Sequence, residues 1–109
     1  MPYDPGLAER LREQFQDRPD LVEKKMFGGL CFMVAGNMCC GIVGDTLMCR
    51  VGPEQYQDCL LQPHAREMDF TGKTLKGMVY VAPEGIESDQ DLAAWISRCL
   101  HFVGSLPAK

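Results

Sequence analysis

Apolar residues near the start of the chain recur at every fourth position. Leu7, Leu11 and Phe15 therefore share one face of a helix. The preceding Asp4–Pro5 pair is typical of a helix start, because the aspartate side chain caps the first turn and the proline ring already holds the helical φ. This pattern predicts a first helix from Pro5 to about Asp17.

Between Lys24 and Arg50 the spacing of apolar residues changes to the alternation of short strands. The first strand is expected to begin near Met26, and the adjoining Gly28–Gly29 pair predicts a bulge or a close approach of two backbones. Two-residue loops at Gly36–Asn37 and Gly44–Asp45 join successive strands as hairpins. The segment therefore predicts a meander of three antiparallel strands.

The loops chosen for this meander fix which residues lie opposite one another. Cys40 is expected opposite Cys49, and Cys39 opposite Arg50. Alternation then places Cys31, Cys40 and Cys49 on one face and Cys39 on the other. Both faces are largely apolar, so we expect the chain's own helices to cover one face, and further helix or a second subunit to cover the other, which predicts a homodimer.

A second hairpin is expected after the meander. Strands at Glu67–Thr71 and Thr74–Val81, joined by a turn at Gly72–Lys73, place Asp69 opposite Lys76. The inner face of this hairpin is expected to contain Met68, Phe70, Leu75 and Val79.

Two further helices flank this hairpin. Gly52 and Pro53 open a short helix through Leu61, and Ser88 caps a final helix that Gly104 ends. The expected fold is α+β in a single domain over residues 1–109. It contains an antiparallel sheet of about five strands, a three-strand meander plus a hairpin, packed with N-terminal, central and C-terminal helices.

Composition narrows the class of protein. The 109 residues are 46% hydrophobic with a formal net charge of −4, and no basic run extends beyond Lys24 and Lys25, so we expect no direct binding of nucleic acid. The chain shows no leader and no apolar run of the ~20 residues that span a bilayer, which predicts a cytoplasmic protein without a membrane segment. In that compartment the six cysteines are expected to be free thiols, and we expect no cofactor.

Three segments carry a resemblance to a known family: KKMFGGLCFMVAGNMCCGIV, LMCRVGPE and PHAREMDFTGKTLKGMVYV. With the flanking helices they resemble the N-terminal domain of the TfoX/Sxy family, bacterial proteins associated with the regulation of natural competence. The competence regulators carry a second, C-terminal helical domain, which we expect to be absent here. The resemblance implies a stand-alone regulatory module with a protein partner in transcription regulation, and it supplies no catalytic residues.

The cysteines of the meander are the first candidates for chemistry. Cys31, Cys40 and Cys49, on one predicted face, have the thiol ligands that Zn or Cu(I) prefers. A structural zinc site needs four ligands, however, and cysteine is among the residues most often buried as a small hydrophobe. We therefore expect packing at these positions, and no metal.

Cys39 is a separate candidate because of its predicted neighbour. An adjacent Arg50 guanidinium stabilises a thiolate, which is how reactive cysteines acquire a lowered pKa. The competing interpretation is that Arg50 simply reaches solvent at the sheet margin while Cys39 packs beneath it.

A third candidate is an anion-binding patch formed by the loop PHAR and the second hairpin that follows it. His64, Arg66, Lys73 and Lys76 have the charge or the hydrogen-bonding capacity to bind phosphate or carboxylate. No glycine-rich phosphate loop precedes a helix here, so a solvated loop is the favoured interpretation.

These observations leave two classes of function. The favoured one is a non-enzymatic regulatory or protein-interaction module that binds itself and a protein partner. The alternative is a small thiol-based redox or metal-responsive protein that uses the meander cysteines. An enzyme ranks below both, because no set of cysteine, histidine and carboxylate is recognisable in the sequence.

Overall fold

A computed structural model describes residues 3–26, 28–70 and 73–108 of the chain. The strands are β1 Leu21–Met26, β2 Gly29–Val34, β3 Asn37–Val43, β4 Thr46–Arg50, β5 Ala65–Phe70 and β6 Lys73–Val81. The helices are α1 Pro5–Gln14, α2 Gly52–Leu60 and α3 Asp89–Val103, with a 3₁₀ turn at Pro83–Ile86. None of the described helices is long and apolar enough to cross a bilayer.

The strands form one antiparallel sheet in the order β1-β2-β3-β4-β6-β5. The α+β class is confirmed, with six strands instead of about five. The additional strand is β1, which lies at the sheet edge with five of its six residues exposed. Because neither of its faces is buried, its sequence LVEKKM carries no alternation of apolar and polar residues.

The helix starts expected from the sequence are confirmed. The Asp4 side chain accepts a hydrogen bond from the Gly6 backbone, and the Ser88 hydroxyl accepts one from the Asp91 backbone. Helix α3 ends at Gly104 as expected, whereas α1 ends at Gln14, three residues before the predicted Asp17. The caps located the starts of these helices better than apolar spacing located the end of α1.

All three helices pack on the same face of the sheet. Leu11 and Phe15 of α1 are buried there, and the Phe15 ring stacks on Phe32 of β2 with centroids 5.9 Å apart. From α2 and α3 this core receives Tyr56, Cys59, Leu92, Trp95, Ile96, Cys99 and Val103. The fold is therefore a two-layer structure with the helices on one side.

The first hairpin loop differs from the prediction. The loop residues are Ala35 and Gly36, with φ of 51° and 82°, and they leave Val34 opposite Asn37. Positive φ at both loop residues is typical of the type I′ turn, whose twist suits a two-residue hairpin. Asn37 lies in the strand instead of the loop, buried, and its side-chain nitrogen donates to the Pro107 carbonyl at 2.9 Å.

A β-bulge follows this loop. Met33 lies opposite Met38, but Phe32 lies opposite Cys40, so Cys39 is an additional residue without a partner on β2. Beyond the bulge Cys31 lies opposite Gly41, and not opposite Ile42 as the predicted loop required.

The altered register corrects two predictions about the cysteines. Cys31 lies on the face opposite to Cys40 and Cys49, because a one-residue slip moves every side chain of a strand to the other face. Cys39 and Cys40 are both buried in the helix-side core, since the bulge interrupts the alternation between them.

The second loop of the meander is confirmed. Val43 lies opposite Thr46 around Gly44–Asp45, and this register places Cys40 directly opposite Cys49.

The second hairpin also has a different register from the prediction. Asp69 lies opposite Thr74, and not opposite Lys76, because the ladder shifts between Glu67 and Asp69, where two residue steps on β5 correspond to five on β6. Val79 lies opposite Glu67, so its side chain and that of Met68, which were expected on one face, lie in the clusters on opposite faces of the sheet. The side chains of Phe70 and Leu75, also expected on the inner face, lie outside the described residues.

An ion pair attaches α1 to the edge of the sheet. The Arg12 guanidinium donates to both carboxylate oxygens of Glu23 on β1, at 2.8 and 2.9 Å, and also to Glu9. The hydrogen bond from Arg12 lowers the pKa of Glu23, while partial burial opposes this change.

The two adjacent glycines where β2 begins predict different costs of substitution. A Cβ atom on Gly29 overlaps the Ile42 carbonyl of β3, whereas one on Gly28, where φ is 74°, meets nothing within 4 Å. Gly29→Ala is expected to lower the free energy of unfolding by about 3 kcal/mol, and Gly28→Ala by about 1 kcal/mol, the strain of a left-handed backbone. Urea denaturation of both variants measures the difference, and equal losses would contradict the close approach of β2 and β3.

The Arg12–Glu23 pair predicts a pH dependence of stability. Because the pKa of Glu23 is lowered in the folded protein, its stabilising contribution is complete above the unfolded value near 4.5 and is lost as pH falls through the folded value. Glu23→Gln is therefore expected to reduce the fall in thermal midpoint between pH 5 and pH 3. Glu13→Gln, on the exposed side of the same helix, is the control, and equal profiles for wild type and Glu23→Gln would contradict the prediction.

Candidate functional site

The face of the sheet opposite the helices is rich in methionine. Its centre contains Cys31, Met48 and Met68, all fully buried. Around them lie the partly exposed side chains of Met33, Met38, Val43, Met78 and Tyr80. We call these eight residues the methionine face.

Cations lie at the two edges of the methionine face. Lys24 of β1 is exposed opposite Cys31, and the exposed Arg66 of β5 stacks its guanidinium 4.5 Å from the centre of the Tyr80 ring. Cross-strand partners share a face, so both cations border the apolar centre. Val22 lies on this same face, opposite Met33, and is 53% exposed.

Four thiols lie in the core on the helix side of the sheet. Cys39 and Cys40 come from the bulge of β3, Cys49 from β4 and Cys99 from α3, which packs over both strands. All four are fully buried free cysteines. We call them the cysteine cluster.

The thiols of the cysteine cluster are not equivalent. Hydrogen bonding from Cys40 and Cys99 lowers the pKa of Cys39, and the charges of Arg18 and Arg50 act in the same direction, although burial opposes them. The hydrogen bond to Cys39, together with burial, raises the pKa of Cys40. Hydrogen bonds to Cys39 and Cys49, together with burial, raise the pKa of Cys99. Cys39 therefore loses its proton more readily than Cys40 or Cys99.

Cys99 is the member that sequence reasoning missed as a functional candidate. Its place in the apolar stripe of α3 identified it only as a core residue. The available signal was its helical position alone, which does not show that α3 packs on β3 and β4.

The predicted grouping of Cys31 with Cys40 and Cys49 is wrong. Cys31 lies in the methionine face, where burial raises the pKa of its thiol. Within the described ranges, no group of three or more histidine, cysteine, aspartate or glutamate side chains is arranged to hold a metal ion.

Arg50 acts on Cys39 less directly than predicted. Its guanidinium donates to the Met38 carbonyl at 3.3 Å and lies 5.4 Å from the centre of the Phe102 ring. Its charge contributes to the lowered pKa of Cys39, but the two neighbouring thiols contribute more. The reactive thiol stays a prediction.

The residues of the proposed anion patch lie in different surroundings. His64 lines a cleft of about 250 Å³ with Trp95 and Arg98 of α3. Lys76 instead lines a smaller pocket beside Arg50, and Arg66 stacks on Tyr80. The side chain of Lys73 lies outside the described residues. The described members do not share one pocket.

Comparison with known protein families gives a match to the TfoX N-terminal domain over residues 13–103. Searches among curated proteins and among solved structures gave no match. The matched region begins in the last turns of α1 and ends with α3, so it contains the whole sheet, the methionine face and the cysteine cluster. The chain belongs to the TfoX N-terminal domain family.

Proposed function

We propose that this chain is a non-enzymatic protein-interaction module of the TfoX N-terminal type. In this proposal it binds a second copy of itself through the methionine face and also binds a protein partner in transcription regulation. The regulatory part rests on the family, whose competence regulators carry this domain, and the self-association rests on the sheet.

The observation that carries the proposal is the composition of the methionine face. Methionine is unbranched and polarizable, so it adapts its shape to an opposing surface. An apolar centre bordered by Lys24 and Arg66 at the two edges has the anatomy of a protein interface, where charges occupy the rim. A second copy offers the same pattern to the first across a two-fold axis.

The size of the face favours a reversible dimer. Six strands about 4.8 Å apart, each about 20 Å long, give a face of the order of 500 Å². A standard stable interface buries about 800 Å² on each partner. We therefore propose association that depends on concentration instead of a permanent dimer.

Two observations favour a non-enzymatic role. The family is not an enzyme family. Among the described residues, the cleft with His64 and Asp91 is lined by no serine, cysteine or lysine that would serve as a nucleophile.

The six free cysteines suit a reducing compartment, so we propose the cytoplasm as the location of the protein.

The self-association has a direct test at the exposed Val22, which borders the methionine face, and at the partly exposed Met33 within it. Val22→Glu and Met33→Glu bring a carboxylate into the apolar contact, which is unfavourable without a partner charge. Each is expected to raise the dissociation constant of the dimer by about tenfold or more in analytical ultracentrifugation.

The matched control is Leu61→Glu. Leu61 is the most exposed of the large apolar side chains that the structure describes, at 82%, and it follows α2, away from the methionine face. This variant is expected to dimerise as the wild type does, with thermal unfolding confirming that all variants fold. A wild type that stays monomeric at every concentration, or an equal effect of Leu61→Glu, would rule out this face as the dimer interface.

A further inference from the structure

A small pocket at the end of the sheet is lined by two cationic side chains and, among the described residues, by no carboxylate. It has a volume of about 110 Å³, and its cations are Arg50 of β4 and Lys76 of β6. The cleft with His64, by contrast, is also lined by Glu84 and Asp91. Because the whole chain has a net charge of −4, a pocket with positive charge alone is a local attractor for anions.

Arg50 is held in a fixed orientation beside this pocket. Its guanidinium donates to the Met38 carbonyl at 3.3 Å and lies 5.4 Å from the centre of the Phe102 ring. A guanidinium has five N–H donors in a planar fork, and the hydrogen bonds among the described residues use one of them. Arg50 is partly exposed and forms no ion pair within the described ranges. Its other donors are therefore available to a ligand.

The register of the sheet places Lys76 diagonally across from Arg50. Arg50 lies opposite Met78 on β6, and Lys76 is two residues before Met78. Diagonal neighbours on antiparallel strands are about 7–8 Å apart, a separation that long side chains bridge. Lys76 is exposed and, like Arg50, has no ion-pair partner among the residues that the structure describes. One anionic group between the two side chains contacts both cations.

Two glycines form part of the pocket wall with backbone alone. Gly52 and Gly77 have φ of 82° and 90°, and a Cβ atom on Gly52 would overlap the ring of Phe102. The backbone supplies little of the binding, because the Val51 N–H already donates to the Gly77 carbonyl at 2.8 Å and Pro53 has no N–H. An anion in this pocket is therefore bound by side chains.

A phosphate group matches the two cations better than a carboxylate does. A phosphomonoester carries a charge of about −1.5 to −2 at pH 7, whereas a carboxylate carries a single charge. Arginine binds phosphate through parallel N–H bonds, and lysine binds it as a point charge. We propose that Arg50 and Lys76 form a binding site for the phosphate group of a small molecule.

This site differs from the anion patch expected from the sequence. It takes Lys76 from that patch and pairs it with Arg50, which the sequence had placed beside Cys39. The proposal is independent of self-association through the methionine face.

Titration of the wild type with inorganic phosphate, followed by amide NMR, tests the proposal. With ionic strength held constant by sodium chloride, the amide signals of Gly52 and Gly77 are expected to shift and to reach saturation. Gly85, in the cleft with His64, is the internal control and is expected not to shift. A second titration with glycerol phosphate identifies the source of the group: tighter binding indicates a phosphomonoester, and equal or weaker binding indicates inorganic phosphate.

A matched pair of variants tests the role of the side chains. Lys76→Gln removes one of the two cations at an exposed position, and it is expected to raise the dissociation constant for inorganic phosphate by about tenfold. Lys25→Gln removes the same charge from the exposed edge strand β1, and it is expected to bind phosphate as the wild type does. Thermal unfolding of both variants confirms that they fold.

Three results would overturn the proposal. One is a set of shifts that do not saturate, or that are equally large at Lys24 and Lys25, because general attraction of anions to surface cations would explain them. Another is an equal effect of Lys76→Gln and Lys25→Gln. The third is acetate binding as tightly as phosphate. Analytical ultracentrifugation measures self-association separately, so each of these failures leaves the dimer proposal standing.

Discussion

The bulge at Cys39 determines how the two faces of the sheet are assigned. Side chains in a strand alternate between the two faces of the sheet. One additional residue in β3 therefore reverses the face assignment of the β3 residues that follow it. Because of this residue, Phe32 lies opposite Cys40 in the core beneath the helices, while Met33 and Met38 lie opposite each other on the other face. In an unbulged ladder through the same turn Phe32 would lie opposite Cys39, and Phe32 and Cys40 would fall on opposite faces.

This assignment gives the two faces different physical characters. The helix side is filled by stiff side chains such as Phe15, Phe32 and Trp95, and it provides most of the buried apolar surface. Among the described residues, no helix covers the other side. There the buried Cys31, Met48 and Met68 are covered by partly exposed side chains of the same face, which include Met33, Met38 and Met78. A sheet with one rigid and one adaptable face suits a domain that keeps its fold while it contacts other surfaces.

Local signals in the sequence predicted the parts of the fold that depend on one turn or one cap. The Asp4 and Ser88 caps, the Gly44–Asp45 loop and the Cys40–Cys49 pair needed only neighbouring residues. The first hairpin failed because its turn places Ala35 at positive φ, which costs an ordinary residue about 1–2 kcal/mol and is therefore not expected from sequence. Asn37, which was expected in the loop, is instead buried in β3, where it donates to the carbonyl of Pro107 from far along the chain.

The same distinction explains why the cysteine cluster was only partly anticipated. Cys39 and Cys40 were visible as neighbours, but the prediction of opposite faces followed from regular alternation, which the bulge interrupts.

Cys99 enters the cluster through the packing of α3 on the sheet, a tertiary contact that no local pattern specifies.

Met38 and Cys39 are consecutive residues, the first in the methionine face and the second in the cysteine cluster. Arg50 donates to the carbonyl of Met38 and places its charge near Cys39. The two candidate sites therefore share one backbone distortion, and a substitution that removes the bulge displaces residues of both.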